Sequence, residues 1–413
     1  MASLANRSVE LDSSARTGGG KDLIGRLIRK RLHRAEALAL VVRDLRAWRG
    51  PILPNQVHLE EAARWILRAQ AATPDDGVSG GYSFEDGWIA SYPETTGYII
   101  PTLLHYAEYS GCPEYRSHAL AMAEWELKIQ LPEGGFPGHF VDQRHPPVVF
   151  NTGQVIFGLI AAYKATNDER FLAAARRAGA WLVGVQDPDG AWRRFDYREC
   201  VHAYNTRTAW ALAELAMATS EESFLGAATR HLAWALGQRE SNGWIRNSAF
   251  DPSEDPYLHT IAYTARGLLE SGLLLGQRAE TEAAEHIARE IMKHVRADGF
   301  IPATFDHRWQ PTARYSCLTG NAQMSVIWLR LFSATRDRAF LDAARGANGW
   351  LKSLQDCNTE NPHVRGAIKG SHPIWGGYLF GAYPNWAAKF FMDALLLEED
   401  FRGTHAAPVE GCS

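Results

Sequence analysis

Six short stretches of the sequence concentrate side chains that could carry out acid–base chemistry on a sugar. Each stretch lies between a glycine-containing turn and a long apolar segment. A glycoside hydrolase needs two carboxyl groups that flank one bond, one acting as the acid and the other as the base or nucleophile. The carboxylates in these stretches that suit this chemistry are Asp86, Glu94, Asp142 and Asp306.

The same stretches also contain the groups for a different reaction, elimination or epimerisation at a uronate. That chemistry needs a base to remove a proton next to a carboxylate, and amide or cationic groups to stabilise the developing enolate. The candidates are His202, His259 and Tyr315 for the base, and Asn205, Arg207 and Arg314 for the stabilising groups. His307 supplies a further histidine as a catalytic candidate. The sequence does not choose between the two reactions, but the excess of Arg and His over well-placed Glu favours an acidic sugar as the ligand.

Aromatic residues are abundant, with 14 Trp, 14 Tyr and 17 Phe. On helices a tryptophan is typical of a core, whereas in loops it can equally be a platform for sugar rings or isoprenoid chains. The residues predicted to contact substrate, besides the stabilising groups, are Trp88, Tyr92, Tyr204, Tyr263, Trp309, Lys369 and Trp375.

Arg207 is informative because it is charged and lies in the first turn of an otherwise apolar predicted helix. A positive charge there is unfavourable, since the helix dipole is already positive at that end. We therefore expect an anionic partner for Arg207, either a loop carboxylate or a carboxylate or phosphate of the substrate. The histidines show no HxH or HxxxH spacing, so the sequence predicts no metal site, and it gives no sign of a cofactor.

These stretches recur because the chain repeats a pair of helices six times. The predicted outer helices are Leu59 to Gln70, Pro113 to Gln130, Asp168 to Gln186, Glu222 to Gln238, Ala279 to Arg296 and Arg338 to Gln355. Trp-x4-Gln recurs in four of them. An apolar inner helix follows each, with its start marked by Thr95, Thr152, Thr206, Thr260, Thr319 and Asn385. A repeat of this length is typical of stacked helical hairpins.

Six apolar helices inside six amphipathic ones predict an all-α (α/α)6 toroid, with an open solenoid as the alternative. The inner helices would then run parallel, so that the loops before them gather at one end of the ring. We predict a disordered tail at 1–20, a basic helix and linker at 21–56, the toroid at 57–400 and a C-terminal tail at 401–413. Asn205 and Thr206 are expected to cap the third inner helix.

The segment at 21–49 is helical in pattern and strongly basic, with a cluster made of Arg26, Arg29, Lys30, Arg31 and Arg34. It could lie on an anionic membrane surface or bind a partner protein. Alternatively it packs on the toroid and exposes its basic face to water.

Charge and cysteine usage exclude several classes of protein. The formal net charge of −4 argues against nucleic-acid binding, which needs a basic surface. The five cysteines are scattered and odd in number, which predicts free thiols rather than a disulfide framework. No signal peptide or membrane-spanning stretch is visible, so a cytoplasmic protein is predicted.

The stretch WLVGVQDPDGAW at 181–192 resembles the QW repeat of squalene cyclases and prenyltransferase-like toroids. In that group glutamine and tryptophan join an outer helix to the following turn. The resemblance implies a toroid and leaves a terpenoid cyclase or prenyltransferase as one alternative function. However, the sequence has neither a DxDD proton donor nor a convincing Asp, Cys and His zinc trio.

The repeat plan is also similar to six-hairpin carbohydrate-active enzymes: unsaturated glucuronyl hydrolases, polysaccharide lyases and the helical domain of uronyl C5-epimerases. The segments YPETTGYIIPTLL (92–104) and CLTGNAQMSVIWLRL (317–331) resemble bacterial proteins associated with exopolysaccharide biosynthesis. These resemblances imply a protein that acts on or binds an acidic, uronate-containing polysaccharide or oligosaccharide. A non-catalytic binding protein remains the other alternative.

Overall fold

The computed structural model describes residues 20–33, 35–142 and 145–401, and in this part twelve helices form a closed double ring. The outer helices are α3 (Asn55–Ala71), α5 (Pro113–Ile129), α7 (Glu169–Val185), α9 (Glu222–Leu236), α11 (Arg278–Met292) and α13 (Arg338–Leu354). The inner helices are α4 (Pro93–Ser110), α6 (Val149–Thr166), α8 (Thr206–Thr219), α10 (Leu258–Leu275), α12 (Leu318–Thr335) and α14 (Asn385–Asp400).

Each inner helix packs against the next, and α14 packs against both α4 and α3, so the ring is closed. The reason is visible in the sequence pattern: every residue from Leu318 to Leu329 of α12 is buried, whereas the outer helices alternate buried and exposed positions. The predicted (α/α)6 toroid is confirmed.

Glycines allow the inner helices to approach closely. A Cβ on Gly158 of α6 would lie 2.3 Å from the carbonyl oxygen of Gly97 in α4. A Cβ on Gly267 of α10 would lie 2.3 Å from the carbonyl carbon of Thr206 in α8. A larger residue at either position would push two inner helices apart.

The glutamines that end the outer helices join neighbouring units. The Nε2 group of Gln186 donates to the carbonyl of Gly190 in its own turn (3.0 Å) and to that of Ala227 in the next outer helix (2.9 Å). Gln355 repeats this at the end of the ring, where its Nε2 donates to Gly366 (2.8 Å) and to His58 of α3 (3.2 Å). The sixth unit is therefore bonded to the first.

Short strands connect the loops at one end of the ring. A three-stranded antiparallel sheet has the order β2 (Gly87–Trp88), β1 (Gly81–Ser83), β5 (Ala382–Pro384), so it joins the first loop to the sixth. A second pair, β3 (Ser316–Cys317) and β4 (Ser371–His372), joins the fifth loop to the sixth. The longer sixth loop thus ties together the end of the ring where the chain closes.

The basic N-terminal segment forms two helices rather than the single predicted one. These are α1 (Gly20–Arg29) and α2 (Ala35–Leu45), and the chain breaks between them where Arg31 has a φ of 55°. Asp44 of α2 makes a buried ion pair with Lys369 of the sixth loop (2.6 Å). Lys30 pairs with Glu85 (2.6 Å), so the segment packs on the toroid, as one of the two alternatives predicted.

The prediction that all cysteines are free is wrong for Cys112, which is disulfide-bonded. Cys200, Cys317 and Cys357 are free thiols. The predicted tail at 1–20, apart from Gly20, and the tail after 401 lie outside the described residues, as do Arg34 of the basic cluster and the neighbourhood of Asp142 at 143–144. In the described part of the chain, no helix is both long and apolar enough to cross a membrane.

Candidate active site

A cavity of about 730 Å³ opens at the end of the ring where the inner helices begin. Its wall comes from the first turns of α4, α6, α10 and α14 and from the loops before α6, α8, α10 and α14. Aromatic side chains dominate the wall: Tyr92, Tyr98, Phe140, Phe150, Phe195, Tyr197, Tyr204, Phe250, Tyr263, Tyr378 and Trp386. Aromatic faces in a deep polar-edged cavity are typical of a site for a small ligand.

Glu94 lies in the first turn of α4 and is buried against this cavity. Its Oε2 accepts a hydrogen bond from the Tyr92 hydroxyl (2.8 Å), and its Oε1 has no partner among the described residues. Burial raises the pKa of Glu94 to about 7, although the Tyr92 hydrogen bond and the charge of Arg207 both lower it. Glu94 can therefore hold a proton near neutral pH, as a general acid must.

Asp196 is a second buried carboxylate on the same cavity, in the loop before α8. Its Oδ1 accepts from the backbone N–H of Tyr197 (2.8 Å) and its Oδ2 from the Asn205 amide (2.5 Å). Burial raises the pKa of Asp196 to about 6, because the nearby His202 and these two hydrogen bonds offset only part of the effect. Two carboxyl groups with raised pKa values thus share one cavity.

Asn205 does not cap α8 as predicted, since its side chain makes no capping hydrogen bond. It holds Asp196 instead. His202 is also placed behind the site: its two ring nitrogens lie 3.0 Å and 2.9 Å from the carbonyl oxygens of Ala249 and Tyr197. Its ring stacks on Tyr204 with centroids 4.4 Å apart, so His202 positions the cavity wall and offers no free nitrogen to a substrate.

His259 lies in the first turn of α10 and lines the cavity. Its Nδ1 is 2.7 Å from the Gln323 amide nitrogen, and its Nε2 has no partner among the described residues. Burial, helped by the charge of Arg207, lowers the pKa of His259 to about 3, so the ring is neutral. Tyr263 packs on it with centroids 4.3 Å apart.

Three arginines of the loop before α8 line the edge of the cavity. Arg193 is paired with Asp189 (2.6 Å) and Asp187 (3.0 Å), and Arg198 is paired with Asp251. Arg194 is exposed and has no carboxylate partner in the described part of the chain. Of these three arginines, Arg194 is therefore the one whose charge is available to a ligand.

Arg207 does not line this cavity. Its side chain is buried below it, with Nε donating to the Gln154 Oε1 (2.8 Å) and the guanidinium carbon 5.0 Å from the centre of the Tyr263 ring. Among the described residues no carboxylate oxygen lies within salt-bridge distance of it. The expected loop-carboxylate partner of Arg207 is therefore not found.

Other predicted residues lie outside the cavity wall. Asp86 is exposed in the turn between β1 and β2, and Trp88 of β2 donates to Nδ1 of His363 in the sixth loop (3.0 Å). Asp142 is exposed and does not line the cavity. Lys369 is buried in the ion pair with Asp44 described above, and Trp375 packs partly buried against the core.

The predicted residues of the fifth loop also serve the fold. Asp306 accepts from the backbone N–H groups of Arg308 and Gln310 (both 2.8 Å) and so closes a turn. Trp309 packs edge-on against Trp244, with centroids 4.9 Å apart. His307 and Arg314 are exposed, and Tyr315 is partly buried; none of the three lines the cavity.

Of the predicted site residues, the structure brings Glu94, Tyr92, Tyr204, His259 and Tyr263 together at one cavity. The candidate list omitted Asp196, Tyr98, Tyr378, Trp386, His139, His145 and Arg194. Asp196 carried a signal, because it lies nine residues before Asn205 in the loop that supplied other candidates. Tyr98 and Trp386 carried none, since each is one aromatic in an apolar helix. No cluster of three potential metal ligands occurs among the described residues.

A family model described as the ulvan lyase N-terminal domain matches residues 138–317, which include Asp196, Tyr204 and His259. No curated protein is significantly similar to the chain in sequence. The match covers part of the second loop and the third, fourth and fifth loops of the mouth.

Solved structures show the same fold over most of the chain. An unsaturated glucuronyl hydrolase specific for heparin has a TM-score of 0.69 at 17% identity, with 84% of this chain and 97% of that one covered. An unsaturated glucuronyl hydrolase from Bacillus sp. GL1 gives 0.66 at 16% identity, covering 86% and 99%. A sugar epimerase from a ruminal bacterium gives 0.68 at 15% identity, covering 85% and 98%. The predicted resemblance to carbohydrate-active six-hairpin toroids is confirmed at the level of the fold.

Proposed function

We propose that this protein is a carbohydrate-active enzyme that hydrolyses a glycosidic bond in a uronate-containing saccharide. The observation that carries the proposal is the pair of buried carboxyl groups, Glu94 and Asp196, with pKa values of about 7 and about 6 on one aromatic cavity. Acid–base hydrolysis requires one carboxyl group that is protonated and a second that is ionised at the pH at which the enzyme works. The similarity to glucuronyl hydrolase structures supports the same class.

In this proposal Glu94 is the acid and Asp196 the base. Glu94 has the higher pKa and a free Oε1, so its proton can pass to the oxygen of the leaving group. Asp196 accepts two hydrogen bonds that favour its charged form, so it can take a proton from the attacking water. The bond between the anomeric carbon and the leaving oxygen breaks as the water oxygen bonds to that carbon.

The substrate's acidic group is assigned to Arg194. The aromatic wall suits sugar rings, and Arg194 supplies a rim cation that no described carboxylate neutralises. Replacing Arg194 by Gln should raise KM for a uronate substrate by about tenfold, because one charge-assisted hydrogen bond is lost. The matched control is Arg198→Gln, whose charge is already paired with Asp251; an equal loss in both variants would contradict the assignment.

Elimination is the second candidate, and His259 is the observation that favours it. This neutral histidine presents an unpartnered Nε2 to the cavity, as a base for proton removal would. The match to the ulvan lyase N-terminal domain, which spans His259, adds support. The phenolic groups are less suited to that role, because burial raises the pKa of Tyr204 and Tyr263.

One assay separates the reactions. The protein is incubated with intact polyuronates and with oligosaccharides that carry an unsaturated uronate at the non-reducing end. Hydrolysis of the unsaturated residue removes its ultraviolet absorbance and releases a reducing end, elimination from the intact polymer creates that absorbance, and epimerisation incorporates solvent deuterium without cleavage. Hydrolysis is expected. New absorbance that is lost in His259→Asn but retained in Glu94→Gln would replace hydrolysis by elimination.

We place this activity in the polysaccharide metabolism of a bacterial cytoplasm. The support is the resemblance of residues 92–104 and 317–331 to exopolysaccharide-associated bacterial proteins. Cell fractionation with an antibody to the native protein tests the location, and recovery outside the cytoplasm would contradict it.

A further inference from the structure

A second cavity, of about 320 Å³, lies farther along the inner helices than the candidate active site. It is formed by residues of α4, α6, α8, α10 and α14 that follow, along each unit of the ring, those lining the candidate active site. We call it the lower chamber. Tyr98 lines both cavities, and the layer that contains Tyr98, Tyr263, Arg207 and Phe390 separates them.

The lower chamber has more positive than negative side chains. Its wall includes the cations Lys164, Arg207, Arg266 and Lys389, but only the two carboxylates Glu214 and Asp393. Asp393 is already engaged by Lys389 (2.5 Å) and by the Thr102 hydroxyl (2.7 Å). Glu214 lies 3.8 Å from Lys164, and Arg266 shares Glu270 with Arg330. Of the four cations, Arg207 is therefore the one without a carboxylate partner among the described residues.

Arg207 is also the least exposed of these four cations. Only 3% of the residue is exposed, its single described hydrogen bond is from Nε to Gln154, and no described carboxylate pairs with it. The rings of Tyr263 and Phe390 lie 5.0 Å and 5.6 Å from its guanidinium carbon, which stabilises the cation only partly. A buried charge is costly without a partner, and a planar guanidinium suits an oxyanion in particular.

We propose that the lower chamber is a second binding site, specific for an oxyanion held by Arg207 and Arg266. The group bound is a carboxylate, sulfate or phosphate, and the volume of the chamber accommodates either the free inorganic ion or an acidic monosaccharide. This inference is independent of the reaction in the upper cavity.

Occupancy would also act on the upper cavity, a consequence that rests on the proposed function. The positive charge of Arg207 lowers the pKa of Glu94. A bound anion would cancel part of that charge, so the pKa of Glu94 and the alkaline limit of the pH–rate profile would both move upward.

The site is tested by calorimetric titration of the full chain at low ionic strength with sodium sulfate, sodium phosphate and sodium glucuronate, against sodium chloride. We expect saturable binding of oxyanions but not of chloride. The affinity should fall by about tenfold or more in Arg207→Gln and in Arg266→Gln. It should be unchanged in Arg308→Gln, because Arg308 is exposed and lines neither cavity.

Two arginine variants are used so that a folding defect in one of them cannot by itself explain a loss of binding. Stronger binding of sulfate and phosphate than of glucuronate identifies an inorganic ion as the ligand class, and the reverse order identifies a sugar acid. Absence of saturable oxyanion binding would overturn the proposal. So would binding that both chamber variants retain, or binding that Arg308→Gln weakens as much as the chamber variants do.

Discussion

At the residue scale, Glu94 and Asp196 differ in what surrounds their oxygens. Glu94 accepts one hydrogen bond and leaves an oxygen open to the cavity, whereas both oxygens of Asp196 are occupied. This difference assigns the acid and the base, and it makes both groups necessary for the proposed hydrolysis. Glu94→Gln and Asp196→Asn should each lower kcat by about 10²- to 10⁴-fold.

Initial rates on the best substrate from the product assay measure this loss. Asp306→Asn is the control, because Asp306 closes a turn outside the cavity and should retain nearly full kcat. A normal rate in Asp196→Asn would remove Asp196 from the mechanism and leave Glu94 to act with another group.

The raised pKa of Glu94 also predicts how stability depends on pH. Its ordinary value of 4.5 applies to the unfolded chain, and about 7 applies to the folded one. Between these values the folded state keeps a proton that the unfolded state has lost, so stability falls as pH rises through this window. The full difference corresponds to roughly 3 kcal/mol.

Glu94→Gln removes this cost, so the variant should unfold at a higher temperature than the wild type at pH 8 and at a similar temperature at pH 4. Thermal unfolding followed by circular dichroism at both pH values measures the difference. An equal shift of Tm at pH 4 and pH 8 would mean that titration of Glu94 is not the cause.

Sequence reasoning at this scale succeeded where the helix repeat fixed the position of a side chain. Glu94 and His259 lie in the first turns of inner helices and Tyr263 lies one turn farther on, so predicting the ring also predicted that they face its mouth. It failed for Trp309, Asp306 and Lys369, whose partners Trp244, the turn backbone and Asp44 depend on loop conformation and on packing between distant segments. The periodicity of the sequence predicts neither the conformation of a loop nor the packing between distant segments.

At the element scale, close packing of the inner helices depends on glycine. Gly158→Ala should destabilise the protein by about 1–3 kcal/mol, because the new Cβ would lie 2.3 Å from the backbone oxygen of Gly97. Gly346→Ala is the matched control in the middle of the outer helix α13, where a Cβ meets no atom within 4 Å. There the higher helix propensity of Ala should stabilise by up to about 1 kcal/mol.

Urea denaturation of the two variants provides the comparison. Similar changes in both would show that α4 and α6 can separate at little cost. The glycine positions also show a limit of the sequence analysis: the apolar pattern predicted that these helices are buried, but not which glycines touch a neighbouring backbone.

At the scale of the whole molecule, the packing of α14 on α3 and α4, together with the bond from Gln355 to α3, removes the free end that an open array of hairpins would have. Terminal units of open arrays can unfold separately, since each unit contacts only its neighbours. In the closed ring, denaturation by guanidinium should give one transition, with helix content and tryptophan fluorescence changing together. Separate transitions for the two signals would contradict a ring that unfolds as one unit.

Gln355→Ala should lower the midpoint of that transition, because it removes the hydrogen bonds from Gln355 that link the sixth unit to His58 of the first. Gln238→Ala is the control, since the Gln238 amide donates to Trp234 of its own helix rather than to the next outer helix. Ring closure itself was predictable from six matched repeats. The packing of α1 and α2 against the sixth loop was not predictable, because a basic amphipathic segment has several possible partners.

In the proposed function, the layer between the two cavities limits how a polymer can enter the site. Because Tyr98, Arg207, Tyr263 and Phe390 lie between the two cavities, we expect a saccharide bound by the proposed enzyme to enter with one terminus from the mouth. The rate of degradation would then depend on the number of chain ends rather than on the mass of polymer. At equal weight concentration, a sample of short chains should be consumed faster than a sample of long ones, and the viscosity of the long sample should fall slowly while single residues accumulate from the first minutes.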